Sequence, residues 1–334
     1  MYVKDGNLYL SSVDQEGFHD SVITTDILID LAARSNYTKL MDAKSRLDEG
    51  LTSITEFCKN LKDVCKLTQK ENILDGARPE KIGISCGGPL DSRNGIILGP
   101  PNLPGWDEVH ISERISQHFG VPALLQNDAN ACAVAEWKFG AGMGADNMVF
   151  LTFGTGLGAG LILNGRLYTG TNDNAGEAGH IRLERFGPVG YGKAGSFEGF
   201  CSGGGIAKLG CSMALEALQS GRQPAYFKKG MNESDVTAKA IAEAADAGDE
   251  TAINVYRVCG EHLGAGLSVL IDILNPEKIV IGSVFARSEH LLRKYAEEVI
   301  ANEALPQAAK CCKIVPAELG EKIGDYAAIA TALL

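Results

Sequence analysis

Short apolar runs alternate along this chain with longer stretches whose apolar residues recur at helical spacing. Asn7–Val13 is half apolar, Asp14-Gln15-Glu16-Gly17 reads as a turn, and Phe18–Ile23 resumes the run, so residues 7–23 are predicted to form a hairpin. Leu47, Leu51, Ile54, Phe57, Cys58, Leu61 and Val64 give 42–72 a helical period. Lys81–Cys86 is a short apolar strand ending in Gly87-Gly88-Pro89, Asp107–Phe119 is helical, and Val121–Gln126 is a strand ending at Asn127-Asp128. A helix rich in small residues is expected over Asn130–Phe139. Strand Asn147–Phe153, a glycine turn and a return strand Leu161–Asn164 open the second half. Residues 171–205 are loop-rich, and from Val236 the chain is mostly helical. The helix Ala252–Leu274 is stopped by Asn275-Pro276. Strand Lys278–Ile281 ends at Gly282, followed by helix Arg287–Ala304, strand Lys313–Pro316 and helix Asp325–Leu334.

This alternation predicts an α/β protein in two lobes, with no short-period repeat. Three strands end in glycine or an acid, at Gly87, at Asn127-Asp128 and at Gly282. Open α/β sheets place ligands beyond the carboxyl ends of their strands, so the polar residues there are expected to converge on one cleft.

The length of 334 residues suits about two domains, and a hydrophobic content of 45% suits a full core. A net charge of -11 without basic runs argues against nucleic acid and anionic membrane as partners. The nine cysteines are scattered, odd in number and without a C-x-x-C pair, which predicts reduced thiols in a cytoplasm. Met1–Gly6 carries no apolar core of a signal peptide, and no apolar run approaches a membrane span.

Four polar clusters punctuated by glycine lie between Asn127 and Gly199. In the turn around Gly154-Thr155-Gly156-Leu157-Gly158, the absence of Cβ atoms lets backbone N–H groups face one anion, and Thr155 adds a hydroxyl. A tight β-turn is the plain alternative. Leu161-Ile162-Leu163-Asn164-Gly165 follows as strand and turn, so neither a dinucleotide fingerprint nor a P-loop fits, and a hairpin phosphate cradle is expected. Asp128 suits helix capping, and it equally suits a general base that takes the proton of an attacking hydroxyl. Phosphoryl transfer needs mostly positioning and charge stabilisation, so one base suffices. Asn127 can donate and accept bonds to a neighbouring hydroxyl. Glu177-Ala178-Gly179-His180 and Glu198 offer carboxylates and an imidazole to paired sugar hydroxyls. A closed metal site is not expected, because no second His or Cys pair completes it.

From about Lys81 to the C-terminus these residues resemble one family, the sugar kinases and regulators named for repressor, ORF and kinase (ROK). The resemblance rests on Gly87-Gly88-Pro89-Leu90-Asp91, Asn102-Leu103-Pro104-Gly105-Trp106, Asn127-Asp128-Ala129-Asn130, the Gly154–Gly160 turn, Glu177-x-Gly-His180 and Gly195-x-x-Glu198, in this order. It implies an actin-like ATPase fold of two ribonuclease-H-like lobes with an interlobe cleft. The N-terminal lobe would be 1–126 with the helix 321–334 packed back on it, and the C-terminal lobe 127–320. It implies ATP with Mg2+, a hexose substrate, a homodimer, and Asp128 as catalytic base. Gly88, Asn102, Asn127, Asp128, Glu177, His180 and Glu198 match sugar-contacting positions. Gly154, Thr155, Gly156 and Gly158 match a phosphate motif, and Gly282 an adenosine-side strand end.

Three departures stand out. Many family members hold a structural zinc through His and Cys-x-Cys-Gly-x-x-Gly-Cys-x-Glu. Here Val189, Tyr191 and Ser196 replace the three cysteines, so no structural zinc is expected and Tyr191 and Phe197 are expected to hold the loop by packing. The family's opening Asp-x-Gly-Gly-Thr turn has no counterpart. Met1–Asn7 stands in its place, through either a truncated start or a degenerate turn, and a missing turn would weaken phosphate and metal positioning. Gly282-Ser283-Val284 stands where a double glycine is common. The leading expectation is an ATP-dependent, glucokinase-like hexose kinase. The alternative is a catalytically weak sugar-binding sensor or regulator on the same fold. A DNA-binding repressor fits poorly with the acidic charge and the β-like start.

Overall fold

The computed structural model describes the strands Tyr2–Lys4, Asn7–Tyr9, Val13–Asp14 and Gly17–Phe18, and residues 80–334 apart from Asn102 and Lys229. Val13 pairs with Phe18 and Asp14 with Gly17, antiparallel, which brackets the predicted turn. Tyr2–Lys4 pairs antiparallel with Asn7–Tyr9, Lys4 opposite Asn7. The helix expected over 42–72 and the candidate sugar contact Asn102 lie outside the described residues.

Contacts divide the chain into two compact units, one of 1–139, 169–174 and 321–334, the other of 140–168 and 175–320. The break thus falls after Phe139, where the sequence reading placed it after Gln126.

In the first unit, strands Ile82–Cys86 and Ala123–Asn127 run parallel, in register from Ile82 opposite Ala123 to Cys86 opposite Asn127. Both therefore deliver their last residues to the same edge. Leu90–Asp91, Ile96–Ile97 and Val109–His110 make a small antiparallel sheet. Val109 and His110, read from sequence as helical, pair there instead, and the helix begins at Ile111 and ends at Phe119. Two β-strand positions thereby override a helical period that the following residues do keep. Ile82, Leu90, Ile97, Val109, Ile111, Ile115, Ala123 and Leu125 form one buried cluster.

Helices Asp128–Phe139 and Ile323–Ala332 also belong to this unit. Small residues let backbones meet: Ala131, Ala133, Ala135, Ala327, Ala328 and Ala330 are all buried. The tightest approach is at Gly83, where an added Cβ would lie 1.9 Å from the Ala328 carbonyl oxygen and 2.6 Å from the Ala332 nitrogen.

The second unit is built on a five-stranded sheet in the order Arg166–Tyr168, Ala159–Leu163, Met148–Leu151, Lys278–Ile281, Lys313–Pro316. The three central-to-edge strands 148–151, 278–281 and 313–316 are parallel, and the two hairpin strands are antiparallel. Met148–Leu151 is buried on both faces, which explains its unbroken apolar run Met-Val-Phe-Leu. The helix Glu250–Leu274 is capped at its start by Asp249, which accepts from Ala252 N–H, and ends at Asn275 in the left-handed region (φ 45°) just before Pro276. It packs on the helix Val284–Glu303 through Gly260 and Gly264. The latter helix starts a turn earlier than the sequence suggests and is kinked at Ser288.

The loop-rich segment is more ordered than its composition suggests. It holds the hairpin Val189–Gly190/Lys193–Ala194 and the short helix Phe197–Phe200, and it leads into a long helix, Gly203–Gln219, that opens on three glycines. Ser202 caps it, accepting from Gly205 N–H at 2.9 Å, a polar start signal that outweighs the poor helix propensity of glycine. Among the described residues no helix is long and apolar enough to cross a membrane.

Gly83→Ala places a methyl group against backbone that cannot rotate away. It should destabilise the protein by at least ~2 kcal/mol, seen as a lower urea midpoint. An unchanged midpoint would show that the helix Ile323–Ala332 is not seated on this strand.

Candidate functional site

The candidate residues fall into two constellations, one in each unit. In the first, strand Ala123–Asn127 runs directly into helix Asp128–Phe139. The capping role open to Asp128 is taken largely by its neighbour. Asn127 Oδ1 accepts from Ala129 N–H at 3.0 Å and from Asn130 N–H at 3.4 Å. Asp128 Oδ1 accepts from Ala129 N–H at 2.8 Å, and no bond to Oδ2 is formed among the described residues. Gly88 lies beside this corner, with an added Cβ 3.2 Å from Asn127 Nδ2.

The Asp128 side chain keeps an open face to solvent, yet the protein crowded around its carboxyl removes much of its hydration. That desolvation raises its pKa above the ordinary 3.8, against the opposing pull of the Ala129 N–H and its own backbone N–H. Cys86 and Cys132 feel both burial and the charge of Asp128, and their thiols are pushed up to about 11 and about 12. They remain protonated at neutral pH, which leaves Asp128 as the group here suited to take a proton.

In the second unit, the hairpin Met148–Leu151/Ala159–Leu163 is closed by Thr152, whose N–H donates to the Gly158 carbonyl at 3.0 Å and whose hydroxyl accepts from Gly158 N–H at 2.9 Å. Within the turn Gly154 N–H donates to the Gly156 carbonyl at 3.0 Å, and Leu157 N–H donates to Glu198 Oε2 at 3.0 Å. Ala159 N–H donates to the Gly176 carbonyl at 2.8 Å. The turn is therefore narrower as an anion cradle than its four glycines suggest. The amides of Gly154 and Gly158 are spent inside the protein, and those of Thr155 and Gly156 have no protein acceptor among the described residues. Thr155 is exposed at the apex.

The strand end Gly282 adjoins this turn. Its N–H donates to the Leu151 carbonyl at 2.9 Å, and Val284 N–H donates to the Phe153 carbonyl at 3.0 Å. Ser283 takes φ 49°, ψ −107°, a conformation that favours glycine, and Phe153 also has positive φ. The hydroxyl of Ser283 lies 3.9 Å from where a Gly154 Cβ would stand and accepts from Arg287 Nη2 at 3.2 Å. Ser283 thus holds a backbone conformation better suited to glycine. Arg287 and Thr152 escaped the sequence reading; the loss of the double glycine at Ser283 was the one visible sign of unusual backbone.

Glu177 precedes the single turn Ala178–His180 and His180 ends it, Glu177 exposed and His180 half-buried. Lys193 Nζ donates to the His180 carbonyl at 2.6 Å. Glu198 sits on the helix Phe197–Phe200, which Ser196 caps by accepting from Gly199 N–H at 3.1 Å. Phe197 N–H donates to the Ile181 carbonyl at 2.7 Å, joining the Glu177–His180 segment to the helix that carries Glu198. Where the zinc pattern would lie, Val189, Tyr191 and Ser196 instead contribute a β-hairpin and this cap. Phe197 is fully buried, its ring against Gly266. Tyr191 does not join the packing as expected: it is 67% exposed, and its ring meets the His180 ring edge-on at 5.2 Å. A positive φ of 41° turns Tyr191 outward at the hairpin tip.

Comparison with known proteins shows the family and the fold. The model of the ROK family matches residues 36–333. Over 252 residues the chain is 34% identical to a glucokinase of Halalkalibacterium halodurans, covering 74% of this chain and 75% of that one. A crystal structure of a ROK family glucokinase from Streptomyces griseus, in complex with glucose and AMPPNP, superposes with a TM-score of 0.65 at 27% identity, over 82% of this chain and 88% of that one. A ROK family transcriptional regulator, homologous to the E. coli MLC protein, superposes with a TM-score of 0.69 at 28% identity, over 88% of this chain and 69% of that one. The fold is the actin-like ATPase fold that the sequence led one to expect.

The raised pKa of Asp128 has a thermodynamic consequence. The folded protein binds this proton more tightly than the unfolded chain does, so stability falls as pH rises from 3.8 through the folded value. Asp128→Asn removes that cost. In urea unfolding the variant should equal or exceed wild type at neutral pH, with the gap closing near pH 3. A variant that is less stable at neutral pH, by an amount that persists in acid, would contradict the assignment.

Proposed function

The chain belongs to the ROK family, and on that premise we propose that it is an ATP-dependent sugar kinase that transfers the γ-phosphate to a hydroxyl of glucose or a related hexose. The observation that carries the reading is the state of Asp128. Asn127 shares the capping, so Asp128 Oδ2 is left without a protein partner among the described residues, and desolvation moves the carboxyl's proton affinity toward that of a working base.

In this reading Asp128 accepts the proton of the attacking hydroxyl. Asn127, Glu177, His180 and Glu198, with Gly88 and Asn102, bind and orient the sugar. ATP supplies the transferable phosphoryl group. The Thr155 and Gly156 amides and the Thr155 hydroxyl hold its phosphates, and the Gly282–Ser283 strand end takes the adenosine side. The donor set fits a nucleotide, since the turn keeps the amides of Thr155 and Gly156 free of protein acceptors among the described residues. Mg2+ would balance phosphate charge. No group of three His, Cys, Asp or Glu side chains able to hold a metal occurs among the described residues, so phosphate oxygens and water would supply most of its ligands. We further propose a homodimer, on the family likeness, and a reducing cytoplasm, on the seven free thiols among the described residues.

The likeness to a transcriptional regulator supports a second reading, a sugar-binding sensor with little turnover. One assay separates the two. Hexose-dependent ADP formation from ATP should be present in wild type and fall by ~10²–10⁴-fold in Asp128→Asn, with hexose still bound. Sugar binding without ADP formation in wild type would favour the sensor. Elemental analysis should find no stoichiometric zinc, because three replaced cysteines leave His180 without partners; one zinc per chain would refute that part.

A further inference from the structure

We infer that Glu198 is a positioning residue for the phosphate-binding turn as well as a sugar ligand, so that one carboxylate couples hexose binding to the shape of the cradle. The inference rests on the kinase reading above and deepens it.

The geometry runs through one peptide group. Glu198 Oε2 accepts from Leu157 N–H at 3.0 Å, which fixes the plane of the peptide between Gly156 and Leu157. The carbonyl of that same peptide belongs to Gly156 and accepts from Gly154 N–H at 3.0 Å. The two bonds together set the fold of the turn and leave the Thr155 and Gly156 amides open. Glu198 approaches so closely that a Cβ on Gly156 would lie 2.8 Å from Oε2.

The carboxylate is held firmly enough to do this. Its helix is capped by Ser196 and anchored by the buried Phe197 ring, and Glu198 itself is half-buried. The other face of the same peptide segment is closed by Gly179, where an added Cβ would lie 2.2 Å from the Leu157 carbonyl oxygen and 3.2 Å from Glu198 Cβ. Gly179 stands between Glu177 and His180. The segments that read sugar therefore grip Leu157 from two sides, and Oε1 of Glu198, which has no partner among the described residues, is left for a hydroxyl. A sugar drawn to Oε1 acts on the same rigid carboxylate that orients the turn.

The test compares wild type, Glu198→Ala and Glu198→Gln. A glutamine keeps one oxygen to accept from Leu157 N–H but loses the charge and the second oxygen. AMPPNP affinity measured without hexose should fall about tenfold in Glu198→Ala, the scale of one lost charge-assisted bond, and return to within about twofold of wild type in Glu198→Gln. Glucose affinity should stay weakened in both. Amide exchange resolved at Leu157 should speed up in Glu198→Ala, recover in Glu198→Gln, and slow on adding glucose to wild type, while the helix Glu250–Leu274 serves as the folding control. A residue that only touches sugar would leave hexose-free nucleotide affinity and Leu157 exchange alike in all three proteins, and that result would overturn the inference. Wild type that binds no AMPPNP would refute the kinase reading instead. The exchange arm then decides the positioning role by itself, with unchanged Leu157 exchange in Glu198→Ala counting against it.

Discussion

The second unit depends on backbone meeting backbone where no side chain could fit. Gly176 sits with its would-be Cβ 2.0 Å from the Ala159 carbonyl oxygen, and Gly179 stands in the same relation to Leu157. These approaches let the loop from Gly176 to His180 hydrogen-bond the strand leaving the turn, through Ala159 N–H and the Gly176 carbonyl. A conventional core of large side chains would have held the loop about a side-chain width further out. The Phe197 ring, packed on Gly266, fixes the other wall. The glycine turn and the proposed sugar-binding residues are thus parts of one stiff assembly, as the proposed catalysis by positioning would require.

The first unit solves a different problem, that of leaving a carboxylate available at the start of a helix. A helix N-terminus attracts an acid and tends to consume it as a cap. Here the strand hands over to the helix with Asn127 one residue ahead, and the amide oxygen of Asn127 covers two of the orphan N–H groups. Asp128 then benefits from the helix end through Oδ1, while Oδ2 has no partner among the described residues. The surrounding protein opposes its ionisation, and the neighbouring thiols of Cys86 and Cys132 are kept neutral by the same burial and by the charge of Asp128 itself. The raised proton affinity of Asp128 costs stability at neutral pH at this corner, as the proposed role of a general base would require.

Much of this was legible from residue order. Strand ends at Asn127-Asp128 and Gly282, the hairpin around Gly154 and the stop at Asn275-Pro276 all follow from local signals, because turns and caps are decided by a few residues. Two features were not. Val109-His110 joined a sheet because Ile96-Ile97 offered an edge, a partner distant enough that periodicity carries no trace of it. The sharing of amides within the glycine turn was equally hidden. Alternating glycines announce freedom, but only Thr152, Glu198 and the Gly156 carbonyl determine which N–H groups stay free. Tyr191 shows the same limit in reverse, since an aromatic residue beside Phe197 looked like packing until its backbone turned it outward.

The central claim is that the turn presents the amides of Thr155 and Gly156, and only those, to a phosphate. Backbone amide resonances followed during titration with AMPPNP test it directly. The account predicts that Thr155 and Gly156 N–H shift strongly while Gly154 and Gly158, bonded within the protein, move little. Saturable binding that leaves Thr155 and Gly156 unmoved, or that shifts Gly154 and Gly158 in their place, would contradict it.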